Sequence, residues 1–135
     1  MFNKAQRKLA KLRLGICGPS GSGKTWSALE IASGISNKIA LIDTERSGHT
    51  YAEDFNFDIA ELDSPYSPQR YIDKIKEAER LGYEMLIIDS LSHAWVGEGG
   101  VLSIADRAGG TFQQGWRTAT PQQNALIDAI ITSKL

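Results

Sequence analysis

One eight-residue segment has the residue types and the spacing that bind a polyphosphate. Gly18-Pro19-Ser20-Gly21-Ser22-Gly23-Lys24-Thr25 fits the pattern G-x-x-x-x-G-K-[ST]. Its glycines let backbone N–H groups point at phosphate oxygens, and the helix expected after it adds its unpaired N-terminal amides. Lys24 would then reach the β- and γ-phosphates, and the Thr25 hydroxyl would hold Mg²⁺. We include the following Trp26 in this candidate nucleotide site, although its ring is better suited to packing the helix onto a sheet.

Two apolar segments that end in acidic residues supply the other candidates. Residues 39–43 and 85–89 are predicted to be buried strands that end in Asp43 and Asp89. A carboxylate fixed at a strand end near phosphates is what Mg²⁺ coordination requires, and the second strand is the more hydrophobic. We therefore expect Thr25 and Asp89 to be the metal-binding residues. Hydrolysis also needs a base that orients the attacking water, and both Asp43 and Glu45 qualify.

Strands and helices alternate along the chain, which predicts a parallel sheet covered by helices. Ligands of such sheets bind outside the carboxyl ends of the strands, where the glycine-rich segment, Asp43 and Asp89 would meet. Gly82 is a plausible helix end, and Thr120-Pro121 a plausible helix start. The predicted strands are 12–17, 39–43, 57–62 and 85–89; the predicted helices are 26–35, 68–81 and 124–133, with a glycine-rich connection at 92–120.

The composition limits the class of protein. The chain has 135 residues, 41% of them hydrophobic and 23% charged, which is typical of one globular domain at 1–135. The net charge of −1 creates no overall field that would attract nucleic acid. No apolar run is long enough to span a membrane. The single cysteine, Cys17, cannot form an internal disulfide, which suits a reducing cytoplasm, and we expect it to be buried in the first strand.

Two strand ends carry a resemblance to a known family. Leu41-Ile42-Asp43-Thr44-Glu45 and Ile87-Ile88-Asp89-Ser90 together resemble the core of RecA-type recombinases and ATPases. Phage-encoded ATP-binding proteins of the RecA-like recombination group, often labelled AAA-type, are more similar still. They share segments like the phosphate loop, Ser64-Pro65-Tyr66-Ser67-Pro68, Ile88-Asp89-Ser90-Leu91-Ser92-His93 and Thr120-Pro121 in the same order, over roughly residues 13–133.

The resemblance implies a RecA-like P-loop NTPase with a three-layer α/β/α fold and a mainly parallel sheet. The protein would be an Mg²⁺-dependent ATPase in DNA recombination or repair, located in the cytoplasm of a bacterial host if a phage encodes it. Lys24 and Glu45 would then be the catalytic residues, with Glu45 as the base that orients water. His93 could sense the γ-phosphate, but a structural role is the simpler expectation for a single loop histidine.

The resemblance also implies a DNA partner, an oligomer and a further strand that this sequence lacks. In RecA-type proteins the loop after the metal-aspartate strand contacts single-stranded DNA, and residues 107–117 correspond to it here. They include arginines that can bind phosphates and aromatic rings that can stack on bases, although a lid over the nucleotide or core is an equal alternative. Many relatives are oligomeric, so a homo-oligomer is expected. A further strand should lie between the phosphate-loop strand and the metal-aspartate strand, so we expect this chain to be an N-terminal fragment.

Two other functions are compatible with the phosphate loop. A small-molecule or nucleoside kinase shares the loop, and Arg107 and Arg117 could then be lid arginines. A nucleotide-binding module without turnover is the other alternative. The guanine-reading pattern N-K-x-D is absent, since Ile39-Ala40 follows Asn37-Lys38, so ATP is expected rather than GTP.

Overall fold

Three short parallel strands form the sheet of the chain. The structure, a computed structural model, describes residues 1–135. The strands are β1 (Ile39–Asp43), β2 (Asp58–Glu61) and β3 (Met85–Asp89), in the order β2-β1-β3. The register places Asp43 beside both Glu61 and Asp89. All three strands therefore end at the same edge of the sheet, as the sequence predicts.

Five helices and one 3-10 turn complete the fold. In helix α2 (Pro68–Arg80), proline occupies the first turn and the apolar side chains recur on one buried face, and both features favour a helix. No helix of the chain has both the length and the apolar character needed to cross a membrane. The helices are α1 (Lys24–Ile35), α2 (Pro68–Arg80), α3 (Ser92–Val96), α4 (Val101–Arg107) and α5 (Phe112–Thr132); the 3-10 turn is Gly48–Tyr51.

The main hydrophobic core lies between one face of the sheet and helices α2 and α5. Side chains alternate between the two faces of a strand, so Ile42 of β1 and Ile88 of β3 share this face. Helix α1 buries Leu29 and Ala32 outside this core and contacts β3. The predicted α/β fold, a parallel sheet between helical layers, is therefore confirmed. The buried core residues are Ile42, Leu62, Tyr71, Ile72, Ile75, Ala94 and Leu126.

The predicted first strand is wrong. Residues 12–17 form no strand, and Leu12 and Leu14 are each 55% exposed. An extended segment needs a neighbouring backbone to pair its N–H and C=O groups, and β3 pairs only with β1. Residues 12–17 pair with none of the three strands of the sheet. Cys17, which we expected to be buried, is exposed for the same reason.

Residues before the phosphate loop instead contact the end of α5. The Arg13 guanidinium donates hydrogen bonds to the carbonyls of Ile131 (3.3 Å), Ser133 (2.6 Å) and Leu135 (3.0 Å). The last carbonyls of a helix lack partners within the helix, and a cation there also complements the helix dipole. Arg13 therefore caps α5 and joins the two ends of the chain.

The predicted connection at 92–120 is wrong, whereas the predicted final helix at 124–133 exists but begins earlier, at Phe112. The region contains α3, α4 and the first half of α5, with Pro121 inside the helix. The helix begins after Thr111, whose hydroxyl accepts from the Gln114 N–H at 3.4 Å while the Gln114 side chain accepts from the Thr111 N–H at 2.9 Å. This reciprocal pair is a capping box. Residues 107–117 are consequently mostly helical, and only 108–111 form a turn between α4 and α5.

Candidate functional site

The phosphate loop turns into α1 through two glycines with left-handed backbone angles. Gly21 has φ 76° and Gly23 has φ 88°, values that other residues adopt only with strain. No side chain caps the N-terminus of α1, which begins at Lys24. The first N–H groups of this helix are therefore available to an anion, and the positive end of the helix dipole points the same way.

The Lys24 ammonium group lies over the loop. Its Nζ donates to the Gly18 carbonyl at 2.7 Å and to the Pro19 carbonyl at 2.9 Å. Both carbonyls belong to the phosphate loop, so the ammonium group lies against the loop backbone. The residue types and the backbone angles of the loop therefore fit a bound polyphosphate.

Thr25 and Asp89 lie in contact although they are far apart in the sequence. Thr25 Oγ1 donates to Asp89 Oδ2 at 2.5 Å, across a sequence separation of 64. The start of α1 and the carboxyl end of β3 position the two groups, as expected from the alternation of strands and helices. The structure thus brings together the two residues predicted to bind metal.

This hydroxyl–carboxylate pair fits Mg²⁺. The ion prefers oxygen ligands and usually takes one or two from the protein, with the remainder supplied by phosphates and water. The chain has no cluster of three or more histidine, cysteine or acidic side chains that could hold a metal by itself. A site shared between Thr25, Asp89 and phosphate oxygens needs no such cluster.

The Asp43 carboxylate is buried and bonded to backbone N–H groups. It is 1% exposed, and its two oxygens accept from the N–H groups of Glu45 (2.9 Å) and Gly48 (2.8 Å). Both bonds fix the turn that follows β1, and they leave little room for a water molecule. Of the two acids after this strand, Asp43 is therefore the less suited to orient water.

The Glu45 carboxylate is exposed and lies beside the end of β3. Its Oε1 accepts from the Ser90 hydroxyl at 2.7 Å and lies 3.5 Å from His93 Nδ1. Half of the Glu45 side chain is accessible, so a water molecule can reach it. The Glu45 carboxylate therefore lies at the edge of the candidate site, close to the residue that follows Asp89.

Three polar groups around this edge had no specific role predicted from the sequence. Thr44 is 4% exposed, and its Oγ1 accepts from the Ser90 N–H at 2.9 Å and lies 2.8 Å from His93 Nδ1. The buried Tyr71 hydroxyl donates to the Ser90 carbonyl at 3.1 Å. Two of these residues, Thr44 and Ser90, adjoin Asp43 and Asp89, and that adjacency is the only signal in the sequence.

Trp26 packs against two aromatic rings of the 48–55 segment. Its ring centroid lies 4.8 Å from that of Phe55 and 6.3 Å from that of Tyr51, both in edge-to-face geometry. The indole is 43% exposed beside the phosphate loop. The indole therefore packs on the 48–55 segment, next to the phosphate loop.

Residues 107–117, which the sequence predicts to form a loop, lie mostly in helices α4 and α5. Arg107 ends α4 and lies 4.0 Å from the Glu98 carboxylate, and Phe112 and Trp116 belong to the first turns of α5. The Trp116 ring lies 5.7 Å from Trp95 and 6.0 Å from Phe112. The aromatic residues therefore form a cluster on a helical surface.

A surface cavity of about 410 Å³ lies away from these groups. It is lined by residues at the amino ends of the strands, including Lys38, Asp58 and Tyr83. The phosphate loop, Asp89 and Glu45 all lie at the carboxyl ends. Because phosphates bind to the surface of a loop and a helix N-terminus, the candidate site does not require a deep cavity.

The comparisons with known proteins give one match. A family model described as an AAA domain matches residues 10–134, nearly the whole chain. Neither the curated proteins nor the solved structures contain a significant match.

Proposed function

The chain belongs to the AAA domain family, whose match supports a P-loop ATPase-type domain, and we propose that it hydrolyses ATP with Mg²⁺. In this proposal residues 1–135 act as a single nucleotide-binding domain. The observation that carries it is the 2.5 Å bond between Thr25 and Asp89, which joins the end of a phosphate loop to an acidic strand end.

Each residue of the site has a separate task in this mechanism. The loop amides of residues 18–25 and the Lys24 ammonium group stabilise the charge that develops on the transferred phosphoryl group. Thr25 and Asp89 would hold Mg²⁺, which would supply positive charge that offsets the charge of the phosphates. Glu45 orients the attacking water, because it is the accessible acid beside Asp89 while Asp43 is occupied by backbone N–H groups.

The first experiment measures phosphate release from Mg²⁺-ATP by the wild-type chain and by two variants. Lys24→Ala should abolish turnover, and Glu45→Gln should lower it by about 10²–10⁴-fold while ATP still binds. Asp54→Asn, an exposed acid in the segment after the 3-10 turn, is the matched control and should leave the rate unchanged. Turnover that survives Lys24→Ala would contradict the proposed site.

We further propose that the ATPase acts in phage or prophage DNA recombination or repair. This role rests on the resemblance of residues 64–68 and 88–93 to phage recombination proteins. The aromatic cluster of Trp95, Phe112 and Trp116 supports a DNA surface, since Phe112 is 82% exposed and Arg117 follows on the same helix. Aromatic stacking contributes about 1–3 kcal/mol per base in proteins that bind single strands.

Phe112→Ala tests the DNA contact better than a change at the packed Trp116. The variant should weaken binding of a fluorescent single-stranded oligonucleotide and leave ATP affinity unchanged. Leu81→Ala removes a side chain that is 63% exposed after α2 and serves as the control. Equal oligonucleotide binding by all three proteins would contradict the DNA role while leaving the ATPase proposal intact.

An oligomer is part of the same proposal. Arg46, the arginine nearest to Glu45 in the sequence, is bonded to Asp63 at 2.6 Å. A cation from a second copy of the chain would then complete the charge stabilisation at the γ-phosphate. Turnover per chain should rise with protein concentration, and a rate independent of concentration would contradict this part.

A further inference from the structure

The His93 imidazole contacts two polar side chains that adjoin the end of β1. Its Nδ1 lies 2.8 Å from Thr44 Oγ1 and 3.5 Å from Glu45 Oε1. The same Glu45 oxygen accepts from the Ser90 hydroxyl at 2.7 Å. The imidazole therefore faces Glu45, the acid to which the proposed mechanism assigns the orientation of water.

The hydrogen bonds around His93 favour one position of the imidazole proton. Thr44 Oγ1 accepts from the Ser90 N–H at 2.9 Å, and the Thr44 hydroxyl hydrogen has the Ser90 carbonyl at 3.2 Å as an acceptor. The ionised Glu45 carboxylate only accepts hydrogen bonds. All of these contacts are satisfied together when Nδ1 of His93 carries the hydrogen and directs it to Thr44 and Glu45.

The ring of His93 is also held from its other side. It stacks on the Tyr66 ring with a centroid distance of 4.6 Å and an interplanar angle of 24°. The Tyr66 N–H donates to the Glu98 carbonyl at 2.6 Å, and a methyl group at Gly97 would lie 2.6 Å from the Tyr66 ring. The imidazole side chain is 29% exposed, so it is packed but not isolated from the site.

We propose that His93 is a positioning residue for Glu45, an inference that rests on the proposed ATPase function. The Nδ1–H group and the Ser90 hydroxyl hold Oε1, so that Oε2 of Glu45 points away from them and can accept a hydrogen bond from water. The contact with Thr44 fixes the position of Nδ1, and stacking on Tyr66 fixes the plane of the ring. The histidine touches neither nucleotide nor metal in this role and acts only through the glutamate.

Three substitutions at His93 separate this role from simple packing. Asparagine can place an amide N–H near the position of Nδ1, glutamine places its amide farther out, and alanine provides no donor. His93→Ala and His93→Gln should lower kcat by roughly tenfold to a hundredfold, since a displacement of about 1 Å can cost about 10²-fold. His93→Asn should recover most of the rate. The Kd for Mg²⁺-ATP should be the same in all four proteins, and equal kcat losses in the alanine and asparagine variants would overturn the proposal.

A double variant tests whether His93 acts through Glu45. In the Glu45→Gln background, His93→Ala should produce little further loss of kcat, because the group that it positions has already been changed. Losses that multiply across the two sites would overturn the proposal. Thermal unfolding of each variant reports any general loss of stability separately.

Nitrogen NMR of the imidazole rings decides the proton position without any turnover. The chain has two histidines, and His49→Gln removes the signals of the other one. A hydrogen on Nδ1 of His93 is expected, and a hydrogen on Nε2 alone would overturn the proposal. Absence of ATP hydrolysis by the wild-type chain would refute the proposed function, whereas the NMR result would still decide the role of His93.

Discussion

Thr25 Oγ1 donates a 2.5 Å hydrogen bond to Asp89 Oδ2, and this bond joins the phosphate loop to the carboxyl end of β3. The two residues are 64 positions apart in the sequence: Thr25 lies in the first turn of α1, and Asp89 ends β3 at the edge where all three strands end. The same edge carries Glu45 and Ser90. A short sheet is therefore sufficient to assemble the site.

The Thr25–Asp89 pair should control the effect of Mg²⁺ on ATP binding. Thr25→Val keeps the shape of the side chain and removes its hydroxyl, and Asp89→Asn removes the charge. We expect both variants to lose the extra affinity that Mg²⁺ supplies, by about 1.5–3 kcal/mol or roughly tenfold to a hundredfold in Kd. Isothermal titration of ATP with Mg²⁺ and with EDTA measures this difference.

Thr25→Ser is the control for this pair, because it keeps the hydroxyl and should retain the Mg²⁺ effect. The affinity measured in EDTA should be similar in all four proteins, since the loop amides and Lys24 remain. An Asp89→Asn protein with an undiminished Mg²⁺ effect would show that the metal is held elsewhere.

Replacing the carboxylate by an amide should lower the stability of the protein at Asp43 and its turnover at Glu45. Asp43→Asn places an amide group against two backbone N–H groups that now bond to a carboxylate. Leaving a buried donor without a partner costs about 1–3 kcal/mol, so the free energy of unfolding should fall by that amount. Glu45→Gln, at an exposed side chain, should leave stability unchanged and should reduce turnover.

Urea unfolding and phosphate release, measured on both variants, check this pair. Each variant is the control for the other, because both exchange a carboxylate for an amide in the same turn. A stable Asp43→Asn protein that has lost turnover would instead assign the water-orienting role to Asp43.

The strand ends were predictable because their signals are local, whereas two other elements depend on partners. β1 and β3 have the bounds expected from their apolar runs, and β2 (Asp58–Glu61) and α2 (Pro68–Arg80) differ from expectation by about one residue at their ends. Residues 12–17 have an equally good strand pattern. They form no strand because they pair with none of the strands of the sheet. The pattern of a segment does not specify which strand, if any, will pair with it.

The start of α5 shows a second limit of sequence patterns. Thr111-Phe112-Gln113-Gln114 and Thr120-Pro121-Gln122-Gln123 both have the T-x-x-Q pattern of a capping box. Proline at the first helical position favoured the second, but the helix begins at the first and includes Pro121. Packing of α5 along α4 and α2 offsets the hydrogen bond that Pro121 cannot donate. Tertiary contacts therefore decided between two equivalent local signals.

Gly115 should tolerate no larger residue, because α4 and α5 approach closely there. A Cβ atom on Gly115 would lie 2.3 Å from the backbone oxygen of Ala105. Alanine improves helix propensity by about 0.8–1.0 kcal/mol, but overpacking typically costs about 1–3 kcal/mol, and a backbone oxygen cannot move without its helix. We expect Gly115→Ala to lower the free energy of unfolding, as measured in urea.

Gly34→Ala is the matched control for Gly115. Gly34 lies in the last turn of α1, and a Cβ atom there would meet no atom within 4 Å. The same substitution should therefore stabilise the protein by up to about 1 kcal/mol. If both alanine variants were stabilised, the close contact between α4 and α5 would be refuted.

Tyr71 links the hydrophobic core to the site and makes stability depend on alkaline pH. The residue is 0% exposed, and its hydroxyl donates to the Ser90 carbonyl at 3.1 Å. Burial raises the pKa of Tyr71 from its ordinary 10.0 to about 12. Between these values the unfolded chain has lost the phenolic proton that the folded chain retains. The contribution to stability is therefore fully present below about pH 10 and is lost as the pH rises to about 12.

Tyr71→Phe removes this titration together with one hydrogen bond. At neutral pH the variant should be less stable by about 0.5–1.5 kcal/mol, and the Ser90 carbonyl keeps the Thr44 hydroxyl as a partner. Between pH 10 and 12 its free energy of unfolding should fall less steeply than that of the wild type, so the two curves should converge. Urea unfolding across this range measures both slopes. Parallel slopes would show that another group causes the alkaline loss, because phenylalanine has no proton to release.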